Sequence, residues 1–334
     1  MGLSSSFIPA HDVAPSEDVH FYRGMNSAVS SLDVSEPDFV QEVSAARVSK
    51  YPPSGIISYA QNREDVLLWR VLRDLPDGFY IDVGAEDPTR NSVTRAFYER
   101  GWHGINIEPV PAHCDELCHE RSRDLTLQVA MGDRAGWSTL YEFPETGLST
   151  LVEKVASRHR SKGFRFIERR VPMLTLASLW EDFVKGEVHF LKIDVEGYEA
   201  QVLAGMDLAI YRPWIILIEA TEPLNCECAS REWESKILGA QYEFVHFDGL
   251  NRWYLGEERS ELKERFDAPP NIFDQFELAA TVSVCDRLAA AERDLKQIRA
   301  SASWQWTAPL RAVRDGVFRL VKRFQKNQPA NLIT

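Results

Sequence analysis

The sequence predicts a doubly wound α/β domain, in which helices cover both faces of a mainly parallel sheet. Two observations favour this fold. Short apolar runs alternate with helix-length segments between residues 58 and 219. Two later strand-like segments, Tyr242–Phe247 and Arg252–Leu255, flank the turn sequence DGLN, which is typical of an antiparallel hairpin at a sheet edge. We therefore expect one α/β domain over residues 55–268.

The elements of this domain follow from the spacing of apolar residues. Helices are predicted at 58–75, 91–100, 112–122, 175–183 and 200–205. Strands are predicted at 79–83, 104–108, 125–130, 188–193 and 214–219, with further extended segments at 137–142 and 169–174. The run VHFLKI at 188–193 is apolar except for Lys192, which predicts a strand buried on both faces.

The flanking segments differ in composition from the α/β domain. Residues 1–54 show no sustained apolar period and predict a weakly ordered arm. Within 269–303, apolar or small residues recur at steps of four and three, which predicts a coiled-coil helix and a homo-oligomer. These residues are Val284, Leu288, Ala291, Leu295, Ile298 and Ala302.

The last segment, 304–334, predicts a basic amphipathic tail. It holds six basic residues and one acid, a net charge of +5 against −17 for the rest of the chain. Such a helix with interfacial tryptophans suits peripheral contact with a membrane. The alternative is that Trp304 and Trp306 pack on the α/β domain.

Composition narrows the class of protein. The chain has 334 residues, 44% apolar and 26% charged, and its net charge of −12 argues against nucleic-acid binding. Five cysteines without a CxxC pair fit a reducing compartment. We expect no signal peptide and no membrane span, and hence a cytoplasmic protein.

Candidate site residues lie at the predicted carboxyl ends of the strands, where open α/β sheets bind ligands. They are Asp82, Gly84, Ala85, Glu108, Gly132, Asp133, Asp194, Glu196 and Glu219. Residues 78–109 predict a nucleotide-binding βαβ unit. Gly84 would allow close backbone approach, and Glu108 could accept two hydrogen bonds from a ribose diol. The turn lacks the GxGxxG pattern of dinucleotide-binding proteins, which argues against the alternative of an NAD-dependent oxidoreductase.

Acid–base chemistry is predicted near the later strands. Lys192 within an apolar strand is costly unless it is paired, which favours an active site of Lys192, Asp194 and Glu196 over simple helix capping. Glu219 and His246 are further acid–base candidates. The carboxylates of Asp194, Glu196 and Glu219 could also hold Mg²⁺ or Mn²⁺. The other histidines considered show no metal spacing and are expected at the surface: His103, His113, His119 and His159.

An ordered set of motifs between Ser58 and Glu222 resembles the FkbM family of S-adenosylmethionine-dependent methyltransferases. The motifs are SYAQNREDVLL, FYIDVGAEDPTRNSVT, GWHGINIEPVP, VAMGD, GLSTL, VPMLTLASLW and HFLKIDVEGYEAQVLAGMD. The resemblance implies a Rossmann-like class I methyltransferase sheet, S-adenosylmethionine as cofactor, and O-methylation. It also implies cofactor-binding roles for Gln61 and Asp65 upstream of the glycine turn, and for Asn91 and Ser92 after it. This chain departs from the family pattern at Glu86.

Later motifs favour a saccharide acceptor. FDGLNRWYL, APPNIFDQFE and SASWQWTAPLRAV resemble segments of enzymes that assemble bacterial surface polysaccharides. The predicted reaction is in-line attack of a sugar hydroxyl on the sulfonium methyl group, with Asp194 or Glu219 as base, oriented by Lys192 and Glu196. A catalytically inactive scaffold within a glycan-assembly complex remains an alternative.

Overall fold

The computed structural model describes residues 55–144, 146–221 and 233–326. The whole predicted arm, residues 1–54, lies outside the described residues, as do residues 327–334 of the tail. The strands are β1 Ile56–Ser58, β2 Phe79–Val83, β3 His103–Ile107, β4 Leu125–Leu127, β5 Ala130–Met131, β6 Gly136–Glu142, β7 Ile167–Leu174, β8 Phe190–Ile193, β9 Ile215–Glu219, β10 Tyr242–Phe247, β11 Asn251–Gly256 and β12 Phe276–Leu278. The helices are α1 Glu64–Leu72, α2 Arg95–Glu99, α3 Pro111–Glu120, α4 Glu153–Ser161, α5 Leu176–Phe183, α6 Glu199–Ala204, α7 Glu234–Gly239, α8 Ala279–Ala300, α9 Ala302–Trp306 and α10 Ala308–Lys326. Two 3₁₀ segments, Glu257–Phe266 and Ile272–Asp274, precede β12.

A seven-stranded sheet forms the centre of the fold, in the order β10-β11-β9-β8-β2-β3-β4. The strands from β9 to β4 pair in parallel, whereas β11 is antiparallel to both β9 and β10. The predicted doubly wound sheet with antiparallel strands at one edge is therefore confirmed. The chain moves outward from β2 to β4 and later returns to place β8 on the other side of β2. This reversal creates a crevice at the carboxyl ends of β2 and β8.

Successive strand residues point to opposite faces of the sheet and are buried under different helices. Ile81, Leu191 and Ile216 lie on one face, in a cluster with residues of α5 and α6. On the other face, Tyr80 and Phe190 pack with residues of α1 and α2. Every residue of β8 is buried, as its apolar sequence predicts.

Several predicted elements differ from the structure at their ends; the helix expected at 91–100, for example, spans Arg95–Glu99. The strand expected at 125–130 is split, since a tight turn follows Leu127 and Ala130–Met131 pairs with β7 in a separate three-stranded sheet. The helix expected from Ser58 begins only at Glu64. The Asp65 carboxylate accepts hydrogen bonds from Ser58, Tyr59 and Ala60, which holds that segment out of the helix.

The C-terminal region is helical but is segmented differently from the prediction. The long helix α8 begins at Ala279, because Phe276–Leu278 forms a parallel strand with β1. It ends at Ala300, and Ser301 caps the next helix through a hydrogen bond from the Trp304 amide. The last predicted seam residue, Ala302, therefore lies beyond a break. Trp306 is 85% exposed, so it does not pack on the α/β domain. Among the described helices, none combines the length and apolar character needed to cross a bilayer.

Candidate active site

A cavity of about 600 Å³ opens at the carboxyl ends of β2, β3, β8 and β9. The lining residues from β3 and the β4–β6 region are mainly apolar and include Ile107, Val129, Met131 and Leu140. Those at the ends of β8 and β9 are acidic: Asp194, Glu196 and Glu219. Because β3 and β8 flank β2 on opposite sides, the cavity runs from an apolar end to an acidic end.

Gly84 allows the central turn of the cavity to form. Its φ of +80° lies in the left-handed region, and a Cβ there would come 1.9 Å from the Asp194 carbonyl oxygen. The amides of Gly84 and Ala85 donate to the Ile107 carbonyl at 3.0 and 3.2 Å. The glycine therefore brings the ends of β2, β3 and β8 together. Ala85 lines a smaller pocket of about 50 Å³ that shares Gly84 and Asp194 with the cavity.

Glu108 lies directly after β3 and is only 5% exposed. Its carboxylate accepts hydrogen bonds from the amides of Glu86 at 2.9 Å and Val110 at 2.8 Å. Burial raises the pKa of this carboxyl group, whereas the two amides oppose the shift. Each carboxylate oxygen has a further acceptor position. Glu108 is thus fixed in orientation and can still accept hydrogen bonds from a ligand diol.

Lys192 connects the glycine turn to two carboxylates. Its Nζ lies 3.1 Å from Asp82 Oδ1 and 3.6 Å from Asp194 Oδ2, and it donates to the Gly84 carbonyl at 2.8 Å. Burial alone would lower the pKa of Lys192, but Asp82 and Asp194 outweigh it and the pKa is raised. Asp82 also accepts from Thr94 Oγ1 at 3.1 Å. The cost of the buried ammonium is therefore met by paired carboxylates, as its position in β8 predicts.

Three carboxyl groups converge at the acidic end of the cavity. One oxygen from each of Asp194, Glu196 and Glu219 lies within 4.8 Å of the other two. Burial raises the pKa of Glu219 to about 11, and the nearby charges of Asp194 and Glu196 contribute to this shift. Burial and Asp194 likewise raise the pKa of Glu196 well above its usual value. At neutral pH and without a bound cation, Glu219 therefore carries a proton and can donate a hydrogen bond.

The structure brings many of the predicted site residues to the cavity wall. They are Gln61, Gly84, Asn91, Glu108, Asp194, Glu196 and Glu219. Gln61 and Asn91 are neighbours, because Ala60 and Asn91 form an isolated β-bridge. Asp82 and Ser92 lie behind the wall, and Ser92 accepts from Arg121 at 2.9 Å.

Other predicted residues lie elsewhere. Asp65 is fully buried and binds residues 58–60, so its contribution to the cavity is to position the Gln61 segment. Gly132 and Asp133 are displaced because the chain after β4 enters the second sheet. The Gly132 amide donates to Leu174, and Asp133 is exposed. The cavity is lined instead by the preceding residues, Val129, Ala130 and Met131.

His246 is also away from the cavity. It lies on β10 at the far edge of the sheet, with its ring near Trp253. Burial lowers the pKa of its imidazole. His246 is not among the described residues that line the cavity. The structure therefore gives no support for His246 as an acid–base residue.

Several lining residues are absent from the sequence-based site. His159 is fully buried, so the expectation that it lies at the surface is wrong. His113 is partly exposed and lines the cavity. Arg90 and the loop residues Thr146–Ser149 also contribute to the wall. The motif GLSTL overlaps this loop and could have identified it. In contrast, nothing in the local pattern singles out Arg90 or His113.

Residues 82–245 match the model of the methyltransferase FkbM domain. Among solved structures, a TehB-like SAM-dependent methyltransferase from Corynebacterium glutamicum aligns over 72% of this chain and 97% of its own, with 9% identity and a TM-score of 0.32. An O-methyltransferase from Bacillus cereus in complex with SAH aligns over 71% and 99%, with 11% identity and a TM-score of 0.29. No curated protein sequence matches the chain.

Proposed function

We propose that the chain is an S-adenosylmethionine-dependent O-methyltransferase, because its residues 82–245 match the model of the methyltransferase FkbM domain. Its proposed acceptor is a sugar hydroxyl of a bacterial surface glycan or of a glycan precursor. The observation that carries the proposal is the polarity of the cavity, which is apolar beside β3 and acidic beyond β8, with Glu108 fixed at the end of β3. S-adenosylmethionine has a matching polarity, with a flat adenine, a ribose diol and a cationic methionine end.

Each part of this cofactor has a proposed partner in the cavity. Adenine would pack among Ile107, Val129 and Met131, whose apolar surface suits an aromatic base. The ribose diol would donate to Glu108. The ammonium and sulfonium groups would lie toward the glycine turn and Asp194, where negative charge stabilises cations. Gln61 and Asn91 supply amide groups for the methionine carboxylate.

Asp194 is the proposed general base. In the proposed step the acceptor oxygen attacks the methyl carbon, the carbon–sulfur bond breaks, and S-adenosylhomocysteine leaves. The hydroxyl proton passes to Asp194, whose carboxylate is 38% exposed and faces the cavity. Glu219 is the weaker candidate for the base because its pKa of about 11 keeps it protonated. It is instead suited to donate a hydrogen bond to an acceptor oxygen.

Calorimetry tests the cofactor assignment. We expect the chain to bind S-adenosylmethionine and not NAD⁺, and Glu108→Gln to weaken binding tenfold or more because one ribose acceptor becomes a donor. An Asp115→Asn variant, altered at an exposed position on α3, should bind as the unchanged protein does. Binding of NAD⁺ in preference to S-adenosylmethionine would support the oxidoreductase instead.

Mass spectrometry tests the acceptor. Surface polysaccharide from a deletion strain should lack a methyl group. A plasmid copy of the unchanged gene should restore this methyl group, whereas an Asp194→Asn copy should not. Restoration by Asp194→Asn would favour the inactive scaffold. Unchanged methylation in the deletion strain would overturn the proposed acceptor.

A divalent cation is a second candidate feature of this site. The buried oxygens Glu196 Oε2 and Glu219 Oε2 have no hydrogen-bond partner among the described residues, so the carboxylate set fits a hard cation such as Mg²⁺ or Mn²⁺. Asp194, Glu196 and Glu219 would hold it, and it would lower the pKa of the acceptor hydroxyl.

Electron paramagnetic resonance of Mn²⁺ tests this cation site. Mn²⁺ binding should strengthen with rising pH, as protons leave the carboxyl groups, and should weaken at least tenfold in Glu219→Gln. Full activity in a chelator would contradict this role.

We also propose that the protein acts at the cytoplasmic face of the inner membrane, where lipid-linked glycan precursors and glycan-assembly enzymes would be accessible. The basic helix α10 supports this location. Its described apolar side chains, including Leu310 and Val313, are exposed, and Arg311 and Arg314 lie beside them in sequence.

A further inference from the structure

Helix α8 presents an apolar stripe that the rest of the described chain leaves uncovered. The helix is 22 residues long, and none of its residues is buried. Val284, Leu288, Leu295 and Ile298 are between 42% and 61% exposed. With Ala291 they recur at steps of four, three, four and three, so they fall on one side of the helix. Four large apolar side chains in one row are unusual for a surface that meets only water.

The charged residues beside this stripe favour a second copy of the same helix as its partner. With Leu288 and Leu295 at a positions, Val284, Ala291 and Ile298 occupy d positions. The charged residues at g positions are then Arg287 and Asp294, and those at e positions are Glu292 and Arg299. All four are exposed, and none forms an ion pair within the described residues.

In a parallel, in-register coiled coil, each g residue faces the e residue five positions later on the neighbouring helix. Arg287 would face Glu292 of another copy, and Asp294 would face Arg299. Both contacts are between opposite charges. An antiparallel pair with full overlap would keep Arg287 beside Asp294 but would leave Glu292 and Arg299 without oppositely charged partners.

We propose that copies of this chain associate through α8 as a parallel, in-register coiled coil. The apolar stripe provides the contact, and the e and g charges select the direction. This inference does not depend on the methyltransferase activity. One consequence is that the basic α10 helices of all copies would emerge at the same end of the assembly.

Charge reversal in the full-length chain tests the direction. Arg287→Glu places like charges opposite each other and should raise the dissociation constant of the assembly at least fivefold in sedimentation experiments. Adding Glu292→Arg to the same chain should restore association, because the pair is rebuilt with its signs exchanged. In an antiparallel assembly, Asp294→Arg would restore it instead. All these positions are exposed, so the melting temperature of the α/β domain should not change.

Disulfide trapping tests the register. Ile298→Cys lies at a d position and should form a disulfide between copies under mild oxidation, since d residues meet across a parallel seam. Lys296→Cys, two positions away and pointing outward, is the matched control and should not. A monomer at micromolar concentration would overturn the proposal. So would rescue of Arg287→Glu by Asp294→Arg, or cross-linking of Lys296→Cys and Ile298→Cys to equal extents.

Discussion

Individual buried carboxyl groups set the charge of the proposed active site. Five acids line the cavity, and Arg90 is the one lining side chain with a permanent positive charge among the described residues. Burial raises the pKa of Glu219 to about 11 and that of the neighbouring Glu199 to about 7. Part of the acidic cluster is therefore neutral at physiological pH. Protonation lowers the mutual repulsion and converts acceptors into hydrogen-bond donors, which would suit the proposed binding of an acceptor hydroxyl.

Glu64 should make the stability of the protein depend on pH. Burial raises its pKa from 4.5 to about 7, while its oxygens accept from Asn62 and Asn251. Between about pH 4.5 and 7 the unfolded chain loses this proton and the folded chain keeps it. The free energy of unfolding should therefore fall as pH rises through this window, by about 3 kcal/mol from this group. Glu64→Gln cannot titrate, so urea unfolding should show a shallower decline.

A control separates this effect from general electrostatics. Asp115→Asn removes an exposed carboxyl group and should leave the pH dependence of unfolding unchanged. The interpretation of Glu64 would be wrong if the Glu64→Gln variant kept the full slope between pH 5 and pH 7.

At the scale of elements, the sequence predicts secondary structure best where a single strong pattern of residues determines the conformation. The apolar runs of β8 and β9 and the turn between β10 and β11 leave little choice of conformation, and these strands form where expected. The ends of the strands then converge, which is why Gly84, Glu108 and Asp194 meet. The pairing of β1 with β12 joins three-residue segments more than 200 residues apart, and such short strands carry no pattern of their own. The positions of Gly132 and Asp133 depended on the split after β4, which tertiary hydrogen bonds decide.

Arg70 should control the attachment of the β12 segment to the α/β domain. It pairs with both oxygens of Asp274 at 2.7 and 2.6 Å and donates to the carbonyls of Ala268 and Pro269. A lysine cannot reproduce this planar, two-pronged contact. Arg70→Lys should therefore lower the free energy of unfolding by about 2 kcal/mol and speed amide exchange in Ile56–Ser58.

Arg73→Lys is the matched control for this prediction, since Arg73 is exposed at the end of the same helix. It should leave amide exchange in β1 unchanged. Equal exchange in both variants and the unchanged protein would show that Arg70 does not hold the β1–β12 pair.

Across the whole molecule, charge is strongly divided between an acidic body and a basic tail. Residues 304–334 carry +5, whereas the remainder carries −17. An anionic surface would attract the tail and repel the body, which would orient the protein with α10 toward the lipid. The proposed parallel assembly would add the affinities of several such tails at one membrane face.

Vesicle co-sedimentation tests this orientation. Trp306, Leu310, Val313 and Val317 are spaced by four, three and four residues and are 55–85% exposed, so they can enter the interface of a bilayer. We expect the full-length chain to bind vesicles that contain phosphatidylglycerol and to lose most binding when residues 304–334 are removed. Each basic residue near an anionic surface contributes about 1 kcal/mol. Because salt screens this attraction, added salt should also weaken binding. Trp306→Ala should weaken it further than Trp137→Ala, which alters a tryptophan that is 61% exposed on the α/β domain. Equal binding by the truncated chain would show that the tail is not the membrane contact.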